Sequence, residues 1–195
     1  MTEIKKLSEL TEEQLNQSLD VFVEGFYNVF SSITKDKKKM HRIFKHSFDY
    51  TRTYACLQDE EVVGFLGLAD SQGRALKLNR DVFLEEIGDG FQGKIIFKSV
   101  NAAMSKLNVV SPQEVYIDFI ATSLTNRSKG IGAQLIAFVR DTLGCKTIEL
   151  EVFSKNPRAK KFYEREGFKV VSEKRDVMMM LQGFGKRIVM RLEAE

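Results

Sequence analysis

The sequence predicts an α/β domain whose sheet contains both parallel and antiparallel strand pairs. A strand, a helix and a second strand follow one another within residues 115–153, and so short a crossover implies a right-handed parallel unit. Residues 51–58 and Glu61–Ala69 are strand-like runs separated by two residues, which is typical of an antiparallel hairpin. Lys169–Lys174 and residues 185–193 alternate between polar and apolar, which predicts two more antiparallel strands. Together these runs indicate a mixed sheet with flanking helices.

Composition is that of an ordinary globular protein. The chain has 195 residues, 43% hydrophobic and 29% charged, and we expect one domain over residues 1–195. A formal net charge of only +3 gives no ground for a nucleic-acid partner. No run approaches the roughly 18 apolar residues of a membrane span, so no membrane partner is expected. Cys56 and Cys145 are too few for a disulfide framework, and the expected location is the reducing cytoplasm. His41 and His46 lack the spacing and partners of a metal site, so none is predicted.

The N-terminal region predicts an edge strand followed by two helices. Residues 1–10 suit the edge strand. Thr11 followed by Gln14 predicts a capping box at the start of a long helix. A second, shorter helix is expected within residues 40–48. The apolar stripe of the long helix comprises Leu15, Leu19, Phe22, Phe26, Phe30 and Ile33.

The middle of the chain predicts elements on either side of the central motifs. Residues 73–79 resemble a third strand, and Asp81 is expected to cap a short helix. A longer helix runs from Phe97 to Leu107 and ends before Pro112. We expect this segment either to lie beside an acceptor entrance or to cover the sheet.

Clear start and stop signals mark the elements after residue 115. Residues 115–124 predict a buried strand. The next helix has one apolar face, and Gly144 follows it where a left-handed residue would end it. Thr147–Phe153 is a predicted strand, and the last helix of the region starts at the N-cap Asn156 and stops at Gly167.

A basic, glycine-containing loop joins the first of these strands to its helix. Glycines let the backbone approach a ligand, and the first amides of a helix lack intrahelical partners. The helix dipole and the cations Arg127 and Lys129 add attraction for an anion, a pyrophosphate in particular. A tight turn without a ligand would use the same glycines, so the loop alone decides nothing. The loop comprises Arg127, Ser128, Lys129, Gly130, Ile131 and Gly132.

Two motifs in this order resemble the GNAT superfamily of N-acetyltransferases. The first is Arg127-x-x-Gly130-x-Gly132. The second begins 24 residues after Gly132 and reads Asn156-x-x-Ala159-x-x-Phe162-Tyr163-x-x-x-Gly167-Phe168. The resemblance covers residues 115–168 strongly. It implies a mixed, twisted central sheet with flanking helices, in which two central parallel strands splay apart and acetyl-coenzyme A (acetyl-CoA) enters the split.

The resemblance also implies which residues hold the cofactor. The loop from Arg127 to Gly132 would hold the pyrophosphate through backbone amides. Asn156 would reach the cofactor from the end of the second strand, with Ala159 and Phe162 beside it. The backbones that would pair with the pantetheine arm belong to Ile120, Ala121 and Thr122.

Tyr163 would be the general acid near the thioester sulfur, again by resemblance. The family often has a glutamate base in the first strand, but the aligned residue here is Tyr116. The base is therefore sought among carboxylates on the two central strands. Asp118 is the first candidate for the base, and Glu149 and Glu151 are the next candidates. The competing interpretation is that these carboxylates are only solvated or paired with lysines.

Strand alternation supports a face that opens onto a cleft or solvent. A parallel strand covered on both sides should be apolar throughout, which Asp118, Glu149 and Glu151 contradict. On simple alternation, one face of the first strand would carry Val115, Ile117, Phe119 and Ala121. The opposite face would carry Tyr116, Asp118, Ile120 and Thr122.

Three function classes follow. The first is an acetyl-CoA-dependent N-acetyltransferase acting on a small-molecule or protein amine by direct attack in a ternary complex, with a homodimer left open. The second is a noncatalytic acyl-CoA sensing module on the same fold. The third, a dinucleotide-binding protein, is disfavoured because Arg127 stands where the first glycine of that motif belongs.

Overall fold

A computed structural model describes residues 2–105, 111 and 113–193. In these ranges seven strands form one sheet in the order β1-β2-β3-β4-β5-β7-β6. Neighbouring strands are antiparallel except β4 and β5, which are parallel. The predicted mixed α/β sheet is confirmed. The strands are β1 Thr2–Lys6, β2 Thr53–Gln58, β3 Glu61–Ala69, β4 Glu114–Thr122, β5 Thr147–Phe153, β6 Lys169–Lys174 and β7 Arg187–Glu193.

Helices flank the sheet. The first and the sixth begin where the sequence predicts, whereas the second begins at Lys37 and the fourth at Phe91, both earlier than predicted. At the first helix, Gln14 N–H donates to Thr11 Oγ1 and Thr11 N–H to Gln14 Oε1, both at 3.2 Å, which confirms the capping box. Gly144 adopts the left-handed φ of +63° expected after the helix that precedes it. The helices are α1 Glu12–Phe30, α2 Lys37–Lys45, α3 Arg80–Ile87, α4 Phe91–Ser105, α5 Ile131–Thr142, α6 Pro157–Arg165 and α7 Val177–Leu181.

Two predictions in the middle of the chain are wrong. Residues 73–79 are not a sheet strand, because their backbone bonds go to the turn after α2: Asp49 N–H donates to Ala75 O and Lys77 N–H to Ser47 O. Asp81 does not cap α3. The N-cap is Asn79, two residues earlier, whose side-chain oxygen accepts hydrogen bonds from the amides of Asp81 and Val82. Leu107 and Pro112, used to predict the end of α4, lie outside the described residues.

The sheet has a core on each face. On one face Phe22 of α1 is fully buried, with its ring centroid 4.9 Å from that of Phe44, 5.1 Å from Phe65 and 5.2 Å from Phe119. On the other face α5 and α6 pack over the central strands, with Leu135 and other buried residues between them. Among the described residues, no helix has the length and apolar character needed to cross a bilayer.

A bulge in β4 corrects the predicted strand faces. Leu68 of β3 pairs with Ile117, whereas the residue before it, Gly67, pairs with Phe119. Asp118 is therefore an extra residue on β4. Burial alternates as predicted, but Ile117 packs with the α5 core whereas Phe119 and Ala121 pack with the α1 core. The bulge reverses the side on which the following side chains point. Ile117 therefore does not share a face with Phe119 and Ala121, and that prediction is wrong.

Candidate active site

The two parallel strands separate in the middle of the sheet. Their pairing runs from Glu114–Thr147 to Ile117–Leu150 and ends there. Beyond it lies a cleft of about 290 Å³ with β4, β5, α1 and α6 as its walls. The cleft brings together most of the predicted site residues: Asp118, Ile120, Ala121, Thr122, Arg127, Glu151, Asn156, Ala159 and Tyr163.

A second cleft of about 390 Å³ continues along the loop and α6. Gly130 is the N-cap residue of α5, and its φ of +83° favours glycine. Among the described residues, no side chain caps this helix. The first amides of α5 therefore point to this space as donors. Ser128 also has a left-handed φ, of +66°. The predicted residues along this cleft are Thr122, Arg127, Ser128, Gly130, Ile131, Gly132, Asn156, Ala159 and Phe162.

Lys129 and Glu149 are the two predicted residues that line neither cleft. Lys129 Nζ instead donates to Asn126 Oδ1 at 3.1 Å within the loop. Glu149 Oε1 accepts from Arg191 Nε at 2.8 Å on the exposed side of β5.

Gly132 allows α5 and α6 to approach each other. A Cβ at this position would lie 2.9 Å from Phe162 Cζ and 3.4 Å from its Cε1. The glycine therefore has a packing function between the loop and the ring that lines this second cleft.

We expect Gly132→Ala to lower the free energy of unfolding by about 1–3 kcal/mol, because the added methyl group overpacks this contact. Urea denaturation measures the change. In a Phe162→Leu background the cost should fall, because the smaller side chain leaves room for the methyl group. An unchanged cost in that background would show that Phe162 is not the neighbour that resists the substitution.

α6 begins as the sequence predicts. Asn156 is its N-cap, and its Oδ1 accepts from Ala159 N–H at 3.1 Å. Tyr163, on the second turn, lies in the cleft wall and is only 8% exposed. Its ring packs on those of Phe162 and Phe168 at centroid distances of 5.2 and 5.7 Å. Burial raises the pKa of its phenol above the usual value, so the hydroxyl keeps its proton at neutral pH.

Asp118 reaches the cleft with its backbone rather than its carboxylate. Its side chain is fully buried although the residue as a whole is partly exposed. Arg74 Nε donates to Oδ1 at 3.0 Å, and Ala75 N–H donates to Oδ2 at 3.1 Å. The same guanidinium donates to the Met104 carbonyl at the end of α4. Burial raises the pKa of Asp118, and Arg74 opposes the shift.

Glu151 is the carboxylate that faces the cleft. Its side chain is 20% exposed, and Oε2 lies 2.8 Å from Arg187 Nε, although that N–H is not aligned for a hydrogen bond. Arg187 is also 3.6 Å from Asp176 at the start of α7. On the same side of the sheet, burial and then the charges of Glu151 and Asp118 raise the pKa of the Tyr116 phenol. Tyr116 is therefore protonated at neutral pH.

Sequence reasoning missed two contributions to the site. Arg74 lies in the segment after β3 and carries no motif that would link it to Asp118. α1 forms a wall of the cleft, and Gly25 lets it approach: a Cβ there would lie 2.8 Å from Ala121 Cβ. That second contribution had a signal, because an isolated glycine within an amphipathic helix commonly has a packing reason.

A comparison with known protein families shows to which family the chain belongs. A family model described as the acetyltransferase (GNAT) family matches residues 17–168. The chain belongs to the GNAT acetyltransferase family. The match begins in α1, so the family region includes the cleft wall that the two motifs alone did not predict. None of the curated proteins matches the sequence.

Solved acetyltransferase structures have a similar fold. The N-acetyltransferase from Staphylococcus aureus Mu50 superposes with a TM-score of 0.64 at 14% identity, covering 97% of this chain and 100% of that one. The ribosomal-protein-S18-alanine N-acetyltransferase from Escherichia coli gives 0.57 at 16% identity, covering 100% and 95%. An acetyltransferase from Bacillus subtilis, solved in complex with CoA, gives 0.55 at 15% identity, covering 99% of each. At these identities the similarity shows the shared fold.

Proposed function

We propose that this GNAT protein transfers the acetyl group of acetyl-CoA to a primary amine by direct attack in a ternary complex. The observation that carries the proposal is the cleft that opens where β4 and β5 stop pairing and continues to the N-terminus of α5. An elongated cofactor with a pyrophosphate near its middle and a thioester at one end fits such a path.

The residues along this path suit the cofactor. Donors at the start of α5, with Arg127 nearby, match a pyrophosphate. The β5-facing edge of residues 120–122 has no pairing with β5 and can bond to the amides of a pantetheine arm. Gly132 and Asn156 border the path between the two.

The chemistry needs one acid and one base. Acetyl-CoA supplies an activated thioester, and the amine nitrogen forms a bond to its carbonyl carbon as the bond from carbon to sulfur breaks. We assign to Tyr163 the proton donated to the departing sulfur, since it lines the cleft and keeps its proton at neutral pH.

The base is assigned to Glu151. An amine with a pKa near 10.4 must lose a proton before it can attack, and a carboxylate can accept it directly or through water. Glu151 lines the cleft, and its Oε2 lies 2.8 Å from Arg187 Nε. Asp118, the first choice from the sequence, has both oxygens engaged by Arg74 and Ala75, and Glu149 lies outside the cleft, so both serve this proposal less well.

The test is turnover of acetyl-CoA with a panel of amines that includes small amines, polyamines, amino acids and peptides with free N-termini. We expect CoA release, with the acetylated product identified by mass spectrometry. The Arg127→Glu, Gly130→Asp double variant should lose this activity. Binding of acetyl-CoA without turnover of any amine would contradict the proposal and support the noncatalytic acyl-CoA sensing module.

The pH dependence of kcat/KM for the acceptor should follow the raised pKa of Tyr163. The acid form of Tyr163 is the active one, and a folded-state pKa above the ordinary 10.0 keeps that form present to higher pH. The profile should therefore rise with deprotonation of the amine and show no falling limb from Tyr163 up to about pH 10. The stabilising effect of burying the neutral phenol is likewise fully present below pH 10, and it is lost as the pH rises from there through the folded-state pKa. A falling limb below pH 9 that Tyr163→Phe abolished would contradict the assignment.

A further inference from the structure

The cleft between β4 and β5 has a side that the cofactor path leaves open. Part of its lining comes from Phe26 and Val29 of α1, which packs on the face of the sheet opposite to α5 and α6. With acetyl-CoA placed along the loop and α6, as proposed above, the α1 side of the cleft is left for the acceptor. The residues that the cleft shares with the one along the loop, and that mark its cofactor end, are Thr122, Arg127, Asn156 and Ala159.

The α1 side has apolar walls. Phe26 and Val29 are partly buried against the core and line the cleft, and the ring of Phe26 packs edge-on against Phe119 with a centroid distance of 5.2 Å. Phe153, the last residue of β5, also lines the cleft, and its ring lies 5.0 Å from that of Phe184. Such walls gain free energy from an apolar group and leave a polar group without a hydrogen bond.

The size of the cleft limits the acceptor as well. Its volume of about 290 Å³ must also accommodate the thioester end of the cofactor. The remaining space suits an acceptor with a single ring or a short branched chain.

The charges along the cleft select further. Among the described residues, the charged side chains in its lining are Asp118, Arg127 and Glu151. Arg127 belongs to the cofactor end, and Arg74 neutralises Asp118 in a buried ion pair. Glu151, the proposed base, is therefore the carboxylate that an amine can approach, and it already has Arg187 at 2.8 Å.

This charge pattern suits an acceptor with one ionisable group. The further ammonium groups of a polyamine would meet no second available carboxylate among the described residues of the lining. A carboxylate on the acceptor, as in an amino acid, would lie near Glu151 with no available cation in the described lining on the α1 side. An unpaired charge against apolar walls is costly, so both kinds of acceptor are disfavoured.

We propose that the acceptor is a small apolar monoamine, a primary amine attached to an aryl or branched alkyl group that binds against Phe26, Val29 and Phe153. This inference rests on the proposed function and deepens it by naming the class of acceptor. In the transfer step the neutral amine nitrogen forms a bond to the acetyl carbon and the bond from carbon to sulfur breaks. The nitrogen loses one proton as it becomes an amide, and the sulfur gains one as it becomes a thiol.

The first experiment compares kcat/KM for four acceptors, measured as CoA release at saturating acetyl-CoA. 2-Phenylethylamine differs from ethylamine by its phenyl group, phenylalanine adds a carboxylate to 2-phenylethylamine, and spermidine carries additional ammonium groups. The wild-type protein should prefer 2-phenylethylamine to ethylamine by about tenfold to a hundredfold, the effect of burying a phenyl group. It should prefer 2-phenylethylamine to phenylalanine and spermidine by at least about tenfold, because their extra charges lack partners.

Val29→Ser tests the apolar wall. The variant should lower the ratio of kcat/KM for 2-phenylethylamine to kcat/KM for ethylamine by about threefold to tenfold, because a hydroxyl group replaces part of the apolar contact. Val171→Ser is the matched control, since it makes the same change at an exposed position on β6 outside the cleft lining, and it should keep the ratio. Melting temperatures establish that both variants are folded.

Several outcomes would overturn the acceptor class and leave the proposed function intact. One is more efficient acetylation of phenylalanine or spermidine than of 2-phenylethylamine by the wild-type protein, and another is equal kcat/KM for 2-phenylethylamine and ethylamine. A third is an unchanged ratio in folded Val29→Ser. The wild-type comparison decides even where the variant does not fold. Binding of acetyl-CoA without acetylation of any amine would overturn the proposed function and this inference with it.

Discussion

Tyr163→Phe should lower kcat by about tenfold to a thousandfold, toward the low side of the roughly 10²–10⁴-fold that a general acid typically contributes. The thiol of CoA has a pKa near 8.5, so the departing sulfur needs only modest assistance, and the lower part of the range is reasonable. The phenol ring packs on Phe162 and Phe168, and phenylalanine preserves that packing. The affinity for acetyl-CoA should therefore remain within about twofold of wild type, and the loss should fall on kcat.

Tyr54→Phe is the control for this substitution. Tyr54 is as buried as Tyr163, at 8% exposure, belongs to the same core and packs on Phe138 rather than in the cleft. It should change kcat little. Steady-state kinetics on both variants, with circular dichroism to confirm folding, separates the loss of a proton donor from the loss of a buried hydroxyl. An unchanged kcat in folded Tyr163→Phe would remove Tyr163 from the mechanism.

Arg74→Met should destabilise the protein by about 3–5 kcal/mol, because it leaves the fully buried carboxylate of Asp118 without its cation. The guanidinium joins the bulge of β4 to the carbonyl of Met104 on α4, and its Cζ lies 6.0 Å from the centre of the Tyr116 ring. Its removal therefore loosens the strand at the point where the cleft begins. Urea denaturation gives the change in the free energy of unfolding.

Arg191→Met is the matched control for Arg74→Met. It removes the cation of another strand-face ion pair, but the side chains of Arg191 and Glu149 are 44% and 25% exposed, so the cost should stay below about 1 kcal/mol. Equal costs for the two arginine variants would contradict the structural role assigned to the buried pair.

The sequence predicts the local elements well where end signals are strong. Thr11 with Gln14, Asn156 with Pro157, and Gly144 each fix the end of a helix through backbone bonds that depend on neighbouring residues only. Asn79 was missed in favour of Asp81 because both can cap, and the choice between them depends on where the preceding segment packs.

Long-range geometry explains what the sequence does not predict. The bulge at Asp118 reverses the strand faces, and it is visible only in the pairing with Gly67 and Leu68. The partner of Asp118, Arg74, is 44 residues away in the chain, and no spacing rule connects them. The residues proposed to hold the cofactor can be named from the sequence because they lie within two short motifs, whereas the choice of the proposed base depends on which carboxylate an arginine has already engaged.

The central claim is that acetyl-CoA binds in the split between β4 and β5 with its pyrophosphate on the loop. Its most direct test is a thermal-shift titration of the wild-type protein and the Arg127→Glu, Gly130→Asp variant. Ligand at about 100 times its dissociation constant adds roughly 2.7 kcal/mol to stability, which should raise the melting temperature of the wild type by several degrees. The double variant should lose that shift, and Arg140→Glu, at the far end of α5 and outside both clefts, should keep it. A full shift in the double variant, or none in the wild type with acetyl-CoA or CoA, would contradict the claim.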